Sequence, residues 1–188
     1  MKVVLGVSNK HVHLNEEDCK VLFGSTEMEN VRNLVQPGQF ASNLFVDVKT
    51  EKNTLKKLRV LGPLRPYTQV EVAKTDCYVL GINPPVRESG DLEGASSVTI
   101  IGPCGEITKE CAIIANRHIH VNKEIREEHN LVGVEKVSIK TEGEKPSIIG
   151  NVYLKDTKEA AFELHLDTDD ANACLLKTGD MLEIIEND

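Results

Sequence analysis

Ser8-Asn9-Lys10-His11-Val12-His13-Leu14-Asn15 recurs 107 positions later as Ala115-Asn116-Arg117-His118-Ile119-His120-Val121-Asn122, so the chain carries two copies of one His-x-His unit. Four of its six histidines lie in those copies. Residues i and i+2 of an extended strand face the same side about 6.6 Å apart, which lets two imidazoles converge on one metal ion. A lone histidine carries little information. A His-x-His duplicated together with its flanks points to two related metal sites, one in each half of a pseudo-duplicated chain.

The bulk composition suits a compact enzyme. With 188 residues, 40 % of them hydrophobic and 28 % charged, the chain fits one or two small domains with a real core. A formal net charge of −8 argues against a nucleic-acid or anionic-membrane partner, because such binding depends on clustered Lys and Arg. An anionic substrate must then be held by local charge, from metals or a few arginines. The five cysteines, Cys19, Cys77, Cys104, Cys111 and Cys174, show no C-x-x-C spacing and fit a reducing cytoplasm. Met1 to Val7 run straight into a β-like segment, with no secretory or membrane-spanning signature.

Short Val/Ile/Leu-rich runs predict strands at 2–8, 44–49, 57–61, 68–73, 97–101, 111–115, 134–140, 147–154, 161–166 and 181–185, with helices at 15–23, 75–80, 122–129 and 168–176. No regular βαβ alternation appears, so a doubly wound parallel sheet is disfavoured. The pattern predicts a mainly β fold with short capping helices, built as small barrels. No Pro/Gly/Ser-rich linker divides the repeats, so two intimately joined half-domains are expected rather than two beads on a string.

Asn15 and Asn122 each follow the second histidine of a repeat by two residues and read as helix N-caps. Asp167, in Asp167-Thr168-Asp169-Asp170, stands two residues beyond His165 and opens a third helix. Helix N-termini beside histidines suggest an anion-binding metal centre; the plain alternative is that Asn and Asp simply start helices there.

Catalytic zinc typically takes three protein ligands and keeps one position open, so each repeat needs a further donor. In Thr68-Gln69-Val70-Glu71-Val72-Ala73, strand alternation sets Glu71 on the face opposite Val70 and Val72. His165 shares a face with Glu163 and Asp167, with Leu164 and Leu166 pointing away. Both Glu71 and His165 are candidate ligands, and a solvent-facing strand side is the alternative. His129 reads as a surface helix residue. Cys111, in the apolar run Cys111-Ala112-Ile113-Ile114, reads as a buried structural thiol rather than a nucleophile. Lys10 and Arg117 each precede a histidine, so they face away from a metal and read as structural or supporting partners.

The chain resembles the PduL-type phosphate acyltransferases, also called phosphate propanoyltransferases. The resemblance is carried by Gly6-Val7-Ser8-Asn9-Lys10-His11-Val12-His13-Leu14, Gln36-Pro37-Gly38-Gln39-Phe40-Ala41, Leu61-Gly62-Pro63-Leu64-Arg65, Thr68-Gln69-Val70-Glu71, Pro85-Val86-Arg87-Glu88-Ser89-Gly90-Asp91, Arg117-His118-Ile119-His120 and His165 to Ala173, in family order. It implies an enzyme that interconverts acyl-CoA plus phosphate with acyl phosphate plus CoA, on two capped β-barrels with two zinc ions at their junction. One barrel would comprise residues 1–9 and 117–188, the other residues 10–116. On the family pattern His11, His13 and Glu71 match the ligands of one zinc, His118, His120 and His165 those of the other, and Arg65 the arginine that holds phosphate. Arg87 and Asn116 are the remaining candidate substrate contacts; for Arg87 the alternative is a structural ion pair within its turn. The chain departs from the family pattern at Lys10, where arginine is common, and at Asp170, where glutamate is usual. Members packaged in bacterial microcompartments carry an extra amphipathic N-terminal segment, whereas this chain starts at the first strand, so a cytoplasmic enzyme is expected. A homo-oligomer is compatible with everything above.

Three other readings compete. A cupin-like metal oxygenase is suggested by His11-Val12-His13 followed by Glu16, Glu17 and Gly24, but Asn15 to Phe23 reads as a capped helix. A zinc-stapled adaptor would favour closed, Cys-rich sites. A zinc-dependent thioesterase would use the same polarised carbonyl with water in place of phosphate.

Overall fold

The computed structural model describes residues 1–185, and positions 186–188 of the expected first barrel lie outside the described residues. The chain order is β1 (Lys2–Ser8), β2 (His11–His13), α1 (Glu16–Phe23), β3 (Asn30–Asn33), β4 (Phe40–Lys49), β5 (Thr54–Gly62), β6 (Gln69–Glu71), α2 (Lys74–Leu80), β7 (Val86–Arg87), β8 (Ser96–Ile101), β9 (Glu106–Ala115), β10 (His118–Val121), α3 (Lys123–Glu128), β11 (Lys136–Lys140), β12 (Ile148–Asp156), β13 (Glu163–Asp167), α4 (Thr168–Ala173) and β14 (Met181–Ile185). The fold is mainly β with short helices, as the apolar runs predict. The predicted strands and helices all form, β1 and β14 with the predicted bounds and the rest with shifted ends. Four strands form outside those ranges: β2 and β10 at the two His-x-His units, which read as extended, and β3 and β7 where no strand is predicted. All four residues of β3 are exposed, so no apolar alternation marks it. No helix among the described residues is long and apolar enough to cross a membrane.

The chain divides into two compact units. One contains Met1–Ser8, Val35–Pro37 and the chain from Asn116 onward; the other contains Asn9–Leu34 and Gly38–Ala115. In the first, β1, β13, β10, β12, β11 and β14 close a six-stranded barrel. In the second, β9 pairs with β6, β6 with β2, β2 with β5, β5 with β4, β4 with β8, and β8 returns to β9, closing a second ring of six. Strand β3 extends the β4 edge and β7 the β9 edge.

The rings match joint for joint. Going round the first, β1–β13 is parallel, β13–β10 antiparallel, β10–β12 parallel, and the three remaining joints antiparallel. The second repeats that sequence as β9–β6, β6–β2, β2–β5, β5–β4, β4–β8 and β8–β9. The duplication read from eight residues therefore extends to the whole topology, with one twist. The counterpart of β9, which ends just before the second His-x-His, is β1, which ends just before the first. Each of these two strands belongs to the barrel that does not hold the His-x-His following it.

Alternation fills each barrel. Val3, Leu5, Ile119, Val121, Leu164, Leu166, Leu182 and Ile184 pack in one core, and Val12, Val46, Val48, Leu58, Val60, Val70 and Ile100 in the other. With Val12 and Ile119 turned inward, strand periodicity sends His11, His13, His118 and His120 to the outer face.

The helices start where their caps predict. The side chains of Asn15, Asn122 and Asp167 accept hydrogen bonds from the backbone N–H groups of Asp18, Ile125 and Asp170. Helix α4 stops earlier than the predicted 168–176, because Leu175 takes a left-handed backbone with φ 56°. His129 is the C-cap of α3 and stacks on Phe162 at 4.4 Å, so it is packed rather than a plain surface residue.

Candidate metal centres

Register brings each third donor opposite a histidine. In the second unit His11 of β2 stands directly across from Glu71 of β6, and in the first His118 of β10 stands across from His165 of β13. Directly opposed residues on one face of an antiparallel pair have Cβ atoms about 4.5–5.5 Å apart. The strand periodicity that made Glu71 and His165 candidates therefore converges on the His-x-His pairs in both units.

In the cluster of His11, His13 and Glu71, the two imidazole Nε2 atoms lie 3.1 Å apart. Glu71 Oε2 is 3.5 Å from His11 Nε2, and its Oε1 is 3.8 Å from His13 Nε2. Tetrahedral donors at zinc-to-nitrogen distance stand about 3.3 Å from one another, so this set needs only small shifts to close on an ion. His11 Nδ1 donates to the Asn9 carbonyl at 2.8 Å, which turns Nε2 toward the cluster. Burial alone would lower the His11 pKa, but the Glu71 carboxylate and the Asn9 carbonyl outweigh it and raise the value. For His13, burial together with the nearby charges of His11 and Arg65 pushes the pKa well below its ordinary value.

In the cluster of His118, His120 and His165, the ring centroids are 4.8 to 5.0 Å apart and the rings meet edge-on. His118 Nδ1 donates to the Asn116 carbonyl at 2.9 Å, repeating the contact of His11. His165 Nε2 lies 2.9 Å from Glu163 Oε2, on a carboxylate that is only 4 % exposed. A histidine tied to a carboxylate at one nitrogen and open at the other is a common arrangement around bound metals. Glu163 also fills the space beside Gly6, where an added Cβ would fall 2.5 Å from its Oε1. In each cluster one donor atom per residue lies within 4.8 Å of the others.

The residues preceding the histidines hold the frame. Lys10 Nζ pairs with Asp76 of α2 at 2.7 Å, and Arg117 grips both carboxylate oxygens of Asp170 in α4 at 2.6 and 2.7 Å. Asp76 and Asp170 occupy the same third position of their helices, so the two departures from the family pattern fall in equivalent ion pairs. The helix starts are less inviting to anions than expected, since Glu16, Glu17 and Asp18 fill the first turn of α1 and Asp169 and Asp170 that of α4.

Arg65 sits beside the first of these clusters. Its backbone N–H donates to the Leu14 carbonyl, one residue past His13. Among the described residues its guanidinium reaches only neutral oxygens: Tyr67 Oη at 3.1 Å, Ser89 Oγ at 3.0 Å and Gln39 Oε1 at 3.3 Å. Arg87, Arg117 and Arg126, by contrast, are each paired with a carboxylate, Asp91, Asp170 and Asp156. Arg87 also donates to the Glu93 carbonyl at 3.0 Å. Asn116 Oδ1 is buried without a hydrogen-bond partner among the described residues. Burial pushes the Cys111 thiol up to about 12, which leaves it unreactive.

Sequence reasoning passed over Gln69, Ser89 and Glu163 as functional residues. Gln69 shares a strand face with Glu71, and Glu163 with His165, so the same two-residue spacing marks both.

A family model described as phosphate propanoyltransferase matches residues 4–177. The phosphate propanoyltransferase of Thermotoga maritima is 44 % identical over 187 residues, covering 98 % of this chain and 89 % of that protein. Those of Rhodopseudomonas palustris and Priestia megaterium are 41 % and 43 % identical, covering 97 % and 95 % of this chain and 82 % and 83 % of theirs. With its two histidine clusters, and with this similarity running almost from end to end, the chain belongs to the phosphate propanoyltransferase family.

Proposed function

We propose that this chain is a cytoplasmic phosphate acyltransferase that interconverts acyl-CoA, such as propanoyl-CoA or acetyl-CoA, plus phosphate with acyl phosphate plus CoA. It uses two zinc ions, one held by His11, His13 and Glu71 and one by His118, His120 and His165. The observation that carries the reading is Arg65, a guanidinium beside the first ligand cluster with no carboxylate in ion-pair range among the described residues. An uncompensated arginine there is suited to a small dianion.

A zinc ion held by these residues would supply Lewis acidity toward a thioester carbonyl and would favour the thiolate form of a thiol. The chain's own residues do the rest. Arg65 holds phosphate through paired N–H donors and aims one oxygen at the acyl carbon. The phosphate oxygen adds to the acyl carbon to give a tetrahedral intermediate, whose collapse breaks the C–S bond, and CoA leaves with the sulfur electron pair. Holding both reactants in register replaces a bimolecular encounter by an oriented one, worth up to about 7–11 kcal/mol in favourable models. Asn116, with its buried unpartnered oxygen, and Arg87, half-exposed on its turn, are assigned to the bound substrate. Transfer is direct in this reading, and Cys111, its thiol pushed up by burial, takes no part as a nucleophile.

The test is thiol release from propanoyl-CoA by the zinc-replete protein, with and without inorganic phosphate. Phosphate-dependent release supports the transferase. Release without phosphate would mean a thioesterase. No release, with a single iron bound, would point to the oxygenase.

A further inference from the structure

We propose that Gln69 is a positioning residue that joins Glu71 to Arg65 through Ser89, so that the metal-binding carboxylate and the phosphate-binding guanidinium are set by one hydrogen-bonded frame. This rests on the roles given above to Glu71 and Arg65. Gln69 is fully buried at the start of β6, two residues before Glu71 and on the same face. Its amide is used on every side. Nε2 donates to Glu71 Oε1 at 2.6 Å and to Ser89 Oγ at 2.8 Å, while Oε1 accepts from Gly90 N–H at 2.7 Å. The Gly90 N–H can only donate, which fixes the amide orientation and sends both Nε2 hydrogens to Glu71 and Ser89.

Ser89 Oγ then accepts a second hydrogen bond, from Arg65 Nη1 at 3.0 Å. The chain of contacts runs Glu71, Gln69, Ser89, Arg65 without a gap. It is built by a tight turn, closed by the Asp91 N–H to Glu88 carbonyl bond at 2.9 Å. Gly90 has φ +104°, a conformation open to glycine, and a Cβ there would meet the Tyr67 hydroxyl at 3.2 Å. Tyr67 is itself an Arg65 partner. The turn therefore delivers one hydroxyl and one N–H to Gln69 while leaving room for the ring that supports Arg65.

The frame has two consequences. With Oε1 of Glu71 held by the Gln69 amide, the carboxylate is fixed in its orientation toward His11 and His13, so Gln69 sets how the carboxylate would meet an ion. With Ser89 held by Gln69, the guanidinium is tied to that carboxylate through two neutral side chains.

The experiment uses the full-length, zinc-replete chain with Gln69→Leu and Ser89→Ala. Three quantities are measured: KM for phosphate, KM for propanoyl-CoA, and zinc affinity by chelator competition. For Gln69→Leu the expected result is a rise of about tenfold in phosphate KM, a propanoyl-CoA KM within about twofold of wild type, and zinc affinity at one of two sites lowered about tenfold. Ser89→Ala should raise phosphate KM similarly and leave both zinc affinities unchanged, because it severs only the Arg65 end. Unchanged phosphate KM in both variants, or equal rises in both KM values, would overturn the proposal. If Gln69→Leu does not fold, Ser89→Ala decides by the same split. Wild-type protein that ignores phosphate would sink the functional reading instead, and the zinc affinity of Gln69→Leu would then test the link to Glu71 on its own.

Discussion

The two units share a strand plan and differ at the third donor. Both set a His-x-His strand between a parallel and an antiparallel neighbour, tie the first histidine to an Asn carbonyl, and brace the preceding cation against a carboxylate at the third position of a helix. Opposite that histidine, one unit has Glu71 and the other His165. A divalent ion held by two imidazoles and a carboxylate would keep one unit of positive charge; one held by three imidazoles would keep two. The polar surroundings differ accordingly. Around Glu71 lies a neutral frame ending in a cation, Arg65, whereas His165 is backed by an anion, Glu163. Duplication conserved the cradle and left the donor and its supports to diverge.

The largest expected effects test whether the two clusters are separate sites. His11→Ala and His118→Ala should each abolish activity and each lose one zinc equivalent, with the other retained, as read by metal analysis of the purified chain. Both zincs retained in His118→Ala would remove His118 from the ligand set. Next is Arg65→Ala, which has no paired counterpart role in the other unit. It should lower kcat/KM for phosphate about 10²–10³-fold with zinc content unchanged. Activity near wild type would end the phosphate assignment.

The comparison sharpens with Glu71→His, which makes both donor sets three histidines. Zinc should stay bound while phosphate-dependent turnover falls about 10–100-fold, because an imidazole cannot take the Gln69 amide hydrogen in place of Oε1 when it faces an ion. Wild-type turnover would show that the difference between the units is incidental. The bracing ion pairs come next, read by urea unfolding. Asp76→Asn should cost about 1–3 kcal/mol, since Asp76 is the more buried partner. Asp170→Asn should cost about 1 kcal/mol, because that pair is more exposed. Lys10→Arg, which copies the first unit's pair into the second, should move stability by no more than about 0.5 kcal/mol.

What the sequence reveals follows from which interactions leave a local trace. Apolar alternation marks the inward faces of the long strands, and Asn15, Asn122 and Asp167 mark helix starts because capping is a three-residue event. The same two-residue period sets Glu71 and His165 apart from their apolar neighbours. Ring closure has no such trace: that β1 completes the barrel of β10 depends on pairing across the length of the chain. The Gln69 frame is hidden for another reason. Its members are neutral and come from different segments, so neither charge nor spacing singles out Ser89 or Gly90. Strand β3 forms as an exposed edge, where hydropathy is silent.

The placement of β1 also bears on how the molecule is made. Its partners β13 and β14 are encoded about 160 residues later, so at ordinary ribosomal speed the first strand waits roughly 10–30 s for them. The ring containing β9 needs nothing beyond Ala115 and can close during that interval. A nascent chain stalled after Ala115 would thus carry one finished barrel preceded by an unpaired apolar strand, Val3-Val4-Leu5. Until β13 and β14 emerge, that strand is a ready target for a chaperone or a stray sheet edge.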